Sequence, residues 1–301
     1  MTDLAIETNS LHKRFSDIQA VDGLDLRVPR GSVYGFLGRN GAGKTTTIRM
    51  LAGLAHPTSG DMRVLNLDPR IDRVRILERT GVVISKMVLP SLTGDELARF
   101  NRGFYPRWSD DLLEKYADVL EVPMDRKFRN LSSGNRTKLC LLLVLAQGAD
   151  LLMLDEPTAG MDPVVNDQLL RILVEDFAAD GRTLFLSSHH LSEIERIADC
   201  VGIIDHGKLL LEAQLDDVRA NFRRVRIAGD ALIAVGSNNI VATHTSAGAT
   251  EYILRSDAEA FAATLHTQGA IILNVAPMNL SEIFLELVGR GRTDVPMEVL
   301  A

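Results

Sequence analysis

The sequence predicts an α/β fold around a mainly parallel sheet, followed by a small α+β appendage. Three observations predict it. Short, continuously apolar runs at Val33 to Leu37, Leu151 to Leu154, Thr183 to Leu186 and Val201 to Ile204 read as strands buried on both faces. Helical patterns separate them, beginning with Thr45 to Ala52. After about Asp217 the texture changes to shorter β-like stretches and two helical patterns.

Taken along the chain, the first section runs from residue 1 to about 217, with a helical insert at about 90–147. Within that insert, Leu112, Leu113, Tyr116, Val119 and Leu120 recur near a 3.6-residue period, so Asp110 to Leu120 reads as a helix. The second section, 218–301, carries a helix over Asp257 to Gln268, a strand over Ala270 to Val275 and a last helix over Leu280 to Val288. Arg223, Arg224 and Arg226 sit on one of its β-like stretches and read as a solvated strand face.

Bulk properties exclude several classes. The chain has 301 residues, 46% apolar and 24% charged, enough for a sizeable core. A net charge of -7 argues against a nucleic-acid partner and against attachment to anionic lipid by charge alone. The two cysteines, Cys140 and Cys200, have neither disulfide-framework nor zinc-site spacing, which fits a reducing compartment. Residues 1–10 contain Asp3 and Glu7 and no apolar core, so no signal peptide is read there. The most apolar run, Leu139 to Ala146, is far below the roughly 20 residues that span a bilayer. The chain is expected to be soluble on its own, and any membrane role needs a partner.

The strand Val33 to Leu37 runs into Gly38-Arg39-Asn40-Gly41-Ala42-Gly43-Lys44-Thr45-Thr46. The first eight residues fit G-x-x-x-x-G-K-[ST], a phosphate-binding loop between a strand and a helix. Its glycines let successive backbone N–H groups turn inward around a phosphate, and the following helix adds positive potential at its N-terminus. Lys44 is the group that reaches the β- and γ-phosphates, and the Thr45 hydroxyl can ligate Mg²⁺. The strand Leu151 to Leu154 then delivers Asp155 and Glu156 to the carboxyl edge of the sheet. Asp155 suits Mg²⁺ and Glu156 suits a general base that polarises the attacking water.

Further motifs make the chain resemble the ABC ATPases. Leu131-Ser132-Ser133-Gly134-Asn135 resembles their LSGGQ signature, and Leu151 to Pro157 resembles their Walker B segment. Ala159-Gly160-Met161-Asp162 is similar to the D-loop, and Ser187-Ser188-His189 to the switch-histidine segment. Phe15 matches the aromatic that stacks on adenine. These elements occur in family order over residues 4 to about 215. Phe104-Tyr105-Pro106-Arg107-Trp108 resembles a bacterial branch whose ATPases pair with separate membrane subunits, often exporters, and Ser281 to Val288 resembles a C-terminal closing helix.

The resemblance implies a P-loop NTPase fold with an N-terminal antiparallel β part and a helical signature subdomain. It implies ATP and Mg²⁺ as ligands, and a head-to-tail homodimer in the ATP state. ATP would lie between residues 38–46 of one subunit and Ser132, Ser133, Gly134, Asn135 and Asp162 of the other. His189 would contact the γ-phosphate and orient Glu156, in preference to the neighbouring His190. The implied partner is an integral membrane permease on a separate chain, which places the ATPase peripherally on the cytoplasmic face.

Three positions depart from the family pattern. Ser133 replaces the second glycine of the signature and Asn135 its glutamine, while Ser85 stands where a magnesium-sensing glutamine usually follows the strand Gly81 to Ile84. Ser85 is a further candidate residue for the metal site. The function expected is ATP hydrolysis driving transport, in the export direction, through that permease. The alternatives are a soluble non-transport ABC ATPase and a low-turnover regulatory subunit.

Overall fold

In the computed structural model the described residues are 3–85, 87, 89–229, 239–246 and 248–289. They fall into two compact units, Met1–Glu212 and Ala213–Ala301. The division lies inside a strand, a few residues ahead of the 217/218 boundary that the change in texture suggests.

The first unit opens with an antiparallel sheet. Its strands are β1 (Leu4–Phe15), β2 (Ile18–Leu24), β3 (Arg27–Pro29) and, later in the chain, β5 (Ser59–Val64). β1 pairs with all three of the others. The second sheet is the one the apolar runs predict. β4 (Val33–Gly38), β6 (Thr80–Val83), β7 (Leu151–Asp155), β8 (Thr183–Ser188), β9 (Cys200–Asp205) and β10 (Lys208–Gln214) lie in the order β10-β9-β4-β8-β7-β6. The pairs β4–β8, β4–β9, β7–β8 and β6–β7 are parallel. β4, β7, β8 and β9 are buried at every residue, which is why they read as unbroken apolar runs and not as alternating ones. β10 returns from β9 across His206 and Gly207, both left-handed at φ 46° and 80°, the geometry of a two-residue hairpin turn.

Helices α1 (Lys44–Leu51) and α2 (Arg73–Leu77) connect these strands, and the insert between β6 and β7 holds α3 (Gly94–Arg102), α4 (Asp110–Val119) and α5 (Ser133–Ala146). Local chemistry starts each insert helix. Thr93 and Glu96 form a reciprocal capping box at α3, and the Ser109 hydroxyl accepts from Leu112 N–H at α4. The Ser132 hydroxyl accepts from Asn135 N–H at α5, a cap that contributes about 1 kcal/mol. The helix therefore begins at Ser133, a full turn before Thr137, where the apolar pattern alone would start it. Leu139 to Ala146 are all buried, so this apolar stretch is a core helix. No helix among the described residues is long and apolar enough to cross a membrane.

After β7, α6 (Pro163–Arg171) leads into a π-helical stretch, Ile172–Phe177, and α7 (Leu191–Ile197) follows β8. The two central strands of this sheet share aromatic contacts. Phe185 on β8 lies 5.5 Å from Tyr34 and 5.2 Å from Phe36, both on β4, ring centroid to centroid. Such pairs add about 0.5–1.5 kcal/mol each beyond their burial and hold β4 and β8 in register.

The second unit contains α8 (Leu215–Asn221), then β11 (Arg223–Ala228), β12 (Ile240–Ser246), β13 (Ala249–Leu254), α9 (Ala258–Thr267), β14 (Ile272–Pro277) and α10 (Leu280–Gly289). Its antiparallel sheet runs β12-β13-β11-β14, and Val225, Ile227, Tyr252, Leu254, Phe261 and Leu265 form its core. The strand expected from Ala270 begins at Ile272, while α9 and α10 fall within a residue of the predicted spans. Arg224 pairs with Glu282 at 3.1 Å and lies 3.8 Å from Glu251, while Arg226 lies 3.6 Å from Glu251. These arginines are thus partly neutralised by acids of their own unit.

Candidate functional site

The order β4-β8-β7-β6 decides where the site forms. Because these strands are parallel, their carboxyl ends share one edge of the sheet, and each delivers one part of the site there. β4 ends in Gly38 and the phosphate loop, β8 in Ser187 and Ser188, and β7 in Asp155. The chain leaving β6 brings Ser85.

The phosphate loop demands its glycines. Gly41 and Gly43 have φ of 83° and 112°, a region that side-chain-bearing residues rarely adopt. A Cβ on Gly43 would stand 2.5 Å from the Ala20 carbonyl oxygen, and one on Gly38 would stand 2.4 Å from that of Ile204. Ala42 is buried and accepts from Gly207 N–H through its carbonyl at 2.9 Å. Arg39, Asn40 and Gly41 are exposed at the loop's tip, and Thr45 and Thr46 are half-buried on the first turn of α1.

Lys44 is only 5% exposed. Its ammonium donates to the carbonyls of Gly38 at 2.7 Å and Arg39 at 3.2 Å, and lies 3.2 Å from Glu156 Oε1. That Oε1 is buried and accepts no hydrogen bond among the described residues, so this ion pair is its polar contact. The other oxygen, Oε2, lies 2.5 Å from His189 Nδ1. Glu156 has a left-handed backbone at φ 52°, costly for a non-glycine residue, and its N–H points into β8. The carboxylate therefore sits between a buried cation and an imidazole, at the end of the strand.

Asp155, 1% exposed, accepts three hydroxyls. Thr45 Oγ1 and Ser85 Oγ donate to Oδ2 at 2.7 and 2.8 Å, and Ser187 Oγ donates to Oδ1 at 2.7 Å. A hydroxyl that donates to Oδ2 keeps its own lone pairs free. Thr45, Ser85 and Oδ2 thus form an oxygen cluster whose chemistry suits a hard divalent cation completed by phosphates and water. No group of three or more His, Cys, Asp or Glu with metal-holding geometry occurs among the described residues.

The other predicted residues lie elsewhere on the unit. Ser132 and Ser133 are exposed, Gly134 and Asn135 are half-buried, and all four belong to the start of α5. A Cβ on Gly134 would meet the Gly160 carbonyl at an ordinary 3.7 Å, so this helix start lies beside the 159–162 loop. Asp162 caps α6, its Oδ1 accepting from Val164 N–H at 2.9 Å. Among the described residues, no hydrogen bond or ion pair joins 132–135 or Asp162 to residues 38–46 of the same chain. Phe15 is 50% exposed at the end of β1, with Lys13 Nζ 4.7 Å from its ring centroid. The His190 ring packs tilted against His189, 4.1 Å between centroids, and its backbone N–H donates to Ser188 Oγ.

Two polar groups have roles that the motif reading did not assign. The hydroxyl of Ser187 has a hydrogen-bonding role that its place in an apolar strand only hints at. Glu193 accepts from Thr158 Oγ1 at 3.0 Å and Asn166 Nδ2 at 2.5 Å, bracketing the 159–162 loop from α7.

Residues 21–159 match the sequence profile of the ABC transporter family. The bacitracin transport ATP-binding protein of Bacillus licheniformis is 36% identical over 222 residues, 73% of this chain and 72% of the relative. A Nod factor export ATP-binding protein of Cupriavidus pinatubonensis is 32% identical over 305 residues, covering 96% of this chain and 92% of the relative. Among solved structures, an ATP-binding subunit of an ABC transporter superposes with a TM-score of 0.64 at 26% identity, covering 72% of this chain and 92% of that one.

Proposed function

The chain belongs to the ABC transporter family as an ATP-binding, ATP-hydrolysing subunit, and from that premise we propose that it powers export through a separate membrane permease. The observation that carries the site assignment is Glu156, its two oxygens divided between Lys44 and His189 at the edge where the phosphate loop ends.

In this reading the phosphate loop, Gly38 to Thr46, binds the triphosphate, with its N–H groups and Lys44 on the phosphate oxygens and Phe15 against the adenine. Glu156 accepts the proton of the attacking water, and His189 holds the carboxylate in place and reaches the γ-phosphate. Thr45 and Asp155, with Ser85 beside them, would hold Mg²⁺. When bound, the metal would supply positive charge to offset that of the phosphates.

The exposed Ser132 and Ser133 and the capped start of α5 offer N–H and hydroxyl donors that their own phosphate loop does not use. That supports a homodimer in which these residues, with Gly134, Asn135 and Asp162, close over the partner subunit's ATP. Hydrolysis then removes the shared anion and lets the dimer open, which the permease follows. Export is favoured because relatives spanning most of this chain are named for export. The working location is the cytoplasmic face of the membrane.

Replacing Glu156 with Gln tests the assignment. The variant should retain ATP, form the more stable dimer on size exclusion and lose turnover. A variant that hydrolyses ATP at the native rate removes Glu156 from the mechanism. Mild extraction from native membranes should recover an integral membrane protein with the chain; recovery of none defeats the transport reading in favour of a soluble ATPase.

A further inference from the structure

Asp155 and Ser187 face each other in register across β7 and β8. The Ser187 side chain is wholly buried, on a strand whose other residues before Ser188 are Thr183, Leu184, Phe185 and Leu186. A hydroxyl placed there needs two partners, and it finds both at the reaction centre. It donates to Asp155 Oδ1 at 2.7 Å and accepts from the Glu156 N–H at 3.2 Å. The same N–H also reaches the Ser187 carbonyl at 3.1 Å, so one residue receives the Glu156 amide twice.

Each bond constrains something the chemistry needs. Oδ1 held by Ser187 fixes the rotation of the Asp155 carboxylate, which leaves Oδ2 turned to Thr45 and Ser85. The clasped N–H holds Glu156 at its φ of 52°, the backbone twist that swings its side chain off the strand to Lys44 and His189. A two-residue Asp-Glu turn has no internal reason to adopt that conformation.

We propose that Ser187 is a positioning residue for ATP hydrolysis, setting the carboxylate of Asp155 and the backbone of Glu156 through a single buried hydroxyl. Its hydroxyl is wholly buried and acts through those two residues. The proposal rests on the reading of Asp155 as the metal-side acid and Glu156 as the base.

The test compares Ser187→Ala and Ser187→Thr in the full chain, by steady-state ATPase kinetics and by binding of a fluorescent ADP with and without Mg²⁺. Lost orienting bonds of this kind cost about 10–100-fold in activity or metal affinity. Ser187→Ala should lower kcat by about that much, with ADP affinity in EDTA unchanged. The gain in ADP affinity on adding Mg²⁺ should shrink by about ten-fold. Ser187→Thr keeps the hydroxyl and should restore kcat and the Mg²⁺ gain to within about three-fold. Should Ser187→Ala fail to fold, Ser187→Cys, similar in size with a weaker donor, serves the same comparison.

Native kcat and native Mg²⁺ gain in Ser187→Ala overturn the proposal. So does an equal loss of ADP affinity with and without Mg²⁺, or a folded Ser187→Thr no better than Ser187→Ala. Glu156→Gln in the same assays separates the two ideas. If it stays active, the assignment of Glu156 fails; if it is inactive while Ser187→Ala is unchanged, only the role of Ser187 fails.

Discussion

Glu156 Oε2 and His189 Nδ1 lie 2.5 Å apart, one at the end of β7 and the other just beyond β8. With Glu156 ionised, Nδ1 carries the proton that is donated to Oε2. The neighbouring His190 contributes a tilted ring contact and a backbone N–H to Ser188, and among the described residues makes no bond to the carboxylate. His189→Ala should therefore lower kcat by about 100-fold, the range for loss of a group that orients an acid–base residue. His190→Ala should stay within about two-fold of native turnover. ATPase rates of the two variants, measured together, assign the switch; equal losses would contradict the geometry.

Lys44 is held for a single task. Two carbonyls, Gly38 and Arg39, aim its ammonium, and among the described residues it pairs with Glu156. Charge-assisted hydrogen bonds to phosphate contribute about 1.5–3 kcal/mol. Lys44→Ala should weaken Mg·ATP binding by about 100-fold, read by equilibrium dialysis. Lys44→Arg should not rescue it, because a planar guanidinium does not fit the point-charge position between those carbonyls. Native retention of nucleotide in Lys44→Ala would undo the site as described.

Much of this was legible in the sequence because burial and backbone geometry constrain residue type. A parallel strand covered on both faces must be apolar throughout, so β4, β7, β8 and β9 declare themselves. A loop with φ of 83° and 112° must carry glycine at Gly41 and Gly43. Elements with weaker constraints are less visible. The first turn of α5 is polar and partly exposed, so periodicity misses it, and only the Ser132 cap reveals the true start. β10 alternates less clearly and carries Glu212, which accepts from the Tyr34 hydroxyl at 2.6 Å and thereby belongs to the first unit. The pairing of Ser187 with Asp155 depends on strand order, which no local pattern encodes.

Ser85 supplies one of two hydroxyls on Asp155 Oδ2, at 2.8 Å, and its N–H stands 3.4 Å from the same oxygen. Thr45 holds that oxygen independently at 2.7 Å. Ser85→Ala should thus be mild, because one ordinary hydrogen bond of about 1 kcal/mol is lost from a carboxylate that keeps two others. We expect kcat to fall by less than about ten-fold and the Mg²⁺ concentration for half-maximal activity to rise by about two- to five-fold. A Mg²⁺ titration of ATPase activity reads both; complete loss of activity would make Ser85 a primary ligand.

Away from the site, Asp150 sets an acid limit on the fold. It lies just before β7 and joins two arginines from other parts of the unit: Arg79 before β6 and Arg107 in the aromatic–proline stretch, both at 2.7 Å. Partial burial pushes its carboxyl up, but hydrogen bonds and attraction from Arg107 and Arg79 outweigh that and hold it below the usual value. A carboxyl lowered in the fold binds its proton less tightly there than in the unfolded chain, where it titrates near 3.9. Its contribution to stability is therefore fully present above about pH 4–5 and fades as pH falls through the unfolded and then the folded value. Asp150→Asn should lower Tm at pH 7, with the gap to native closing as pH drops below about 4. Thermal melts between pH 7 and 3 measure the gap; one that stays constant, or widens in acid, would show that the arginine pair does not tune this carboxyl.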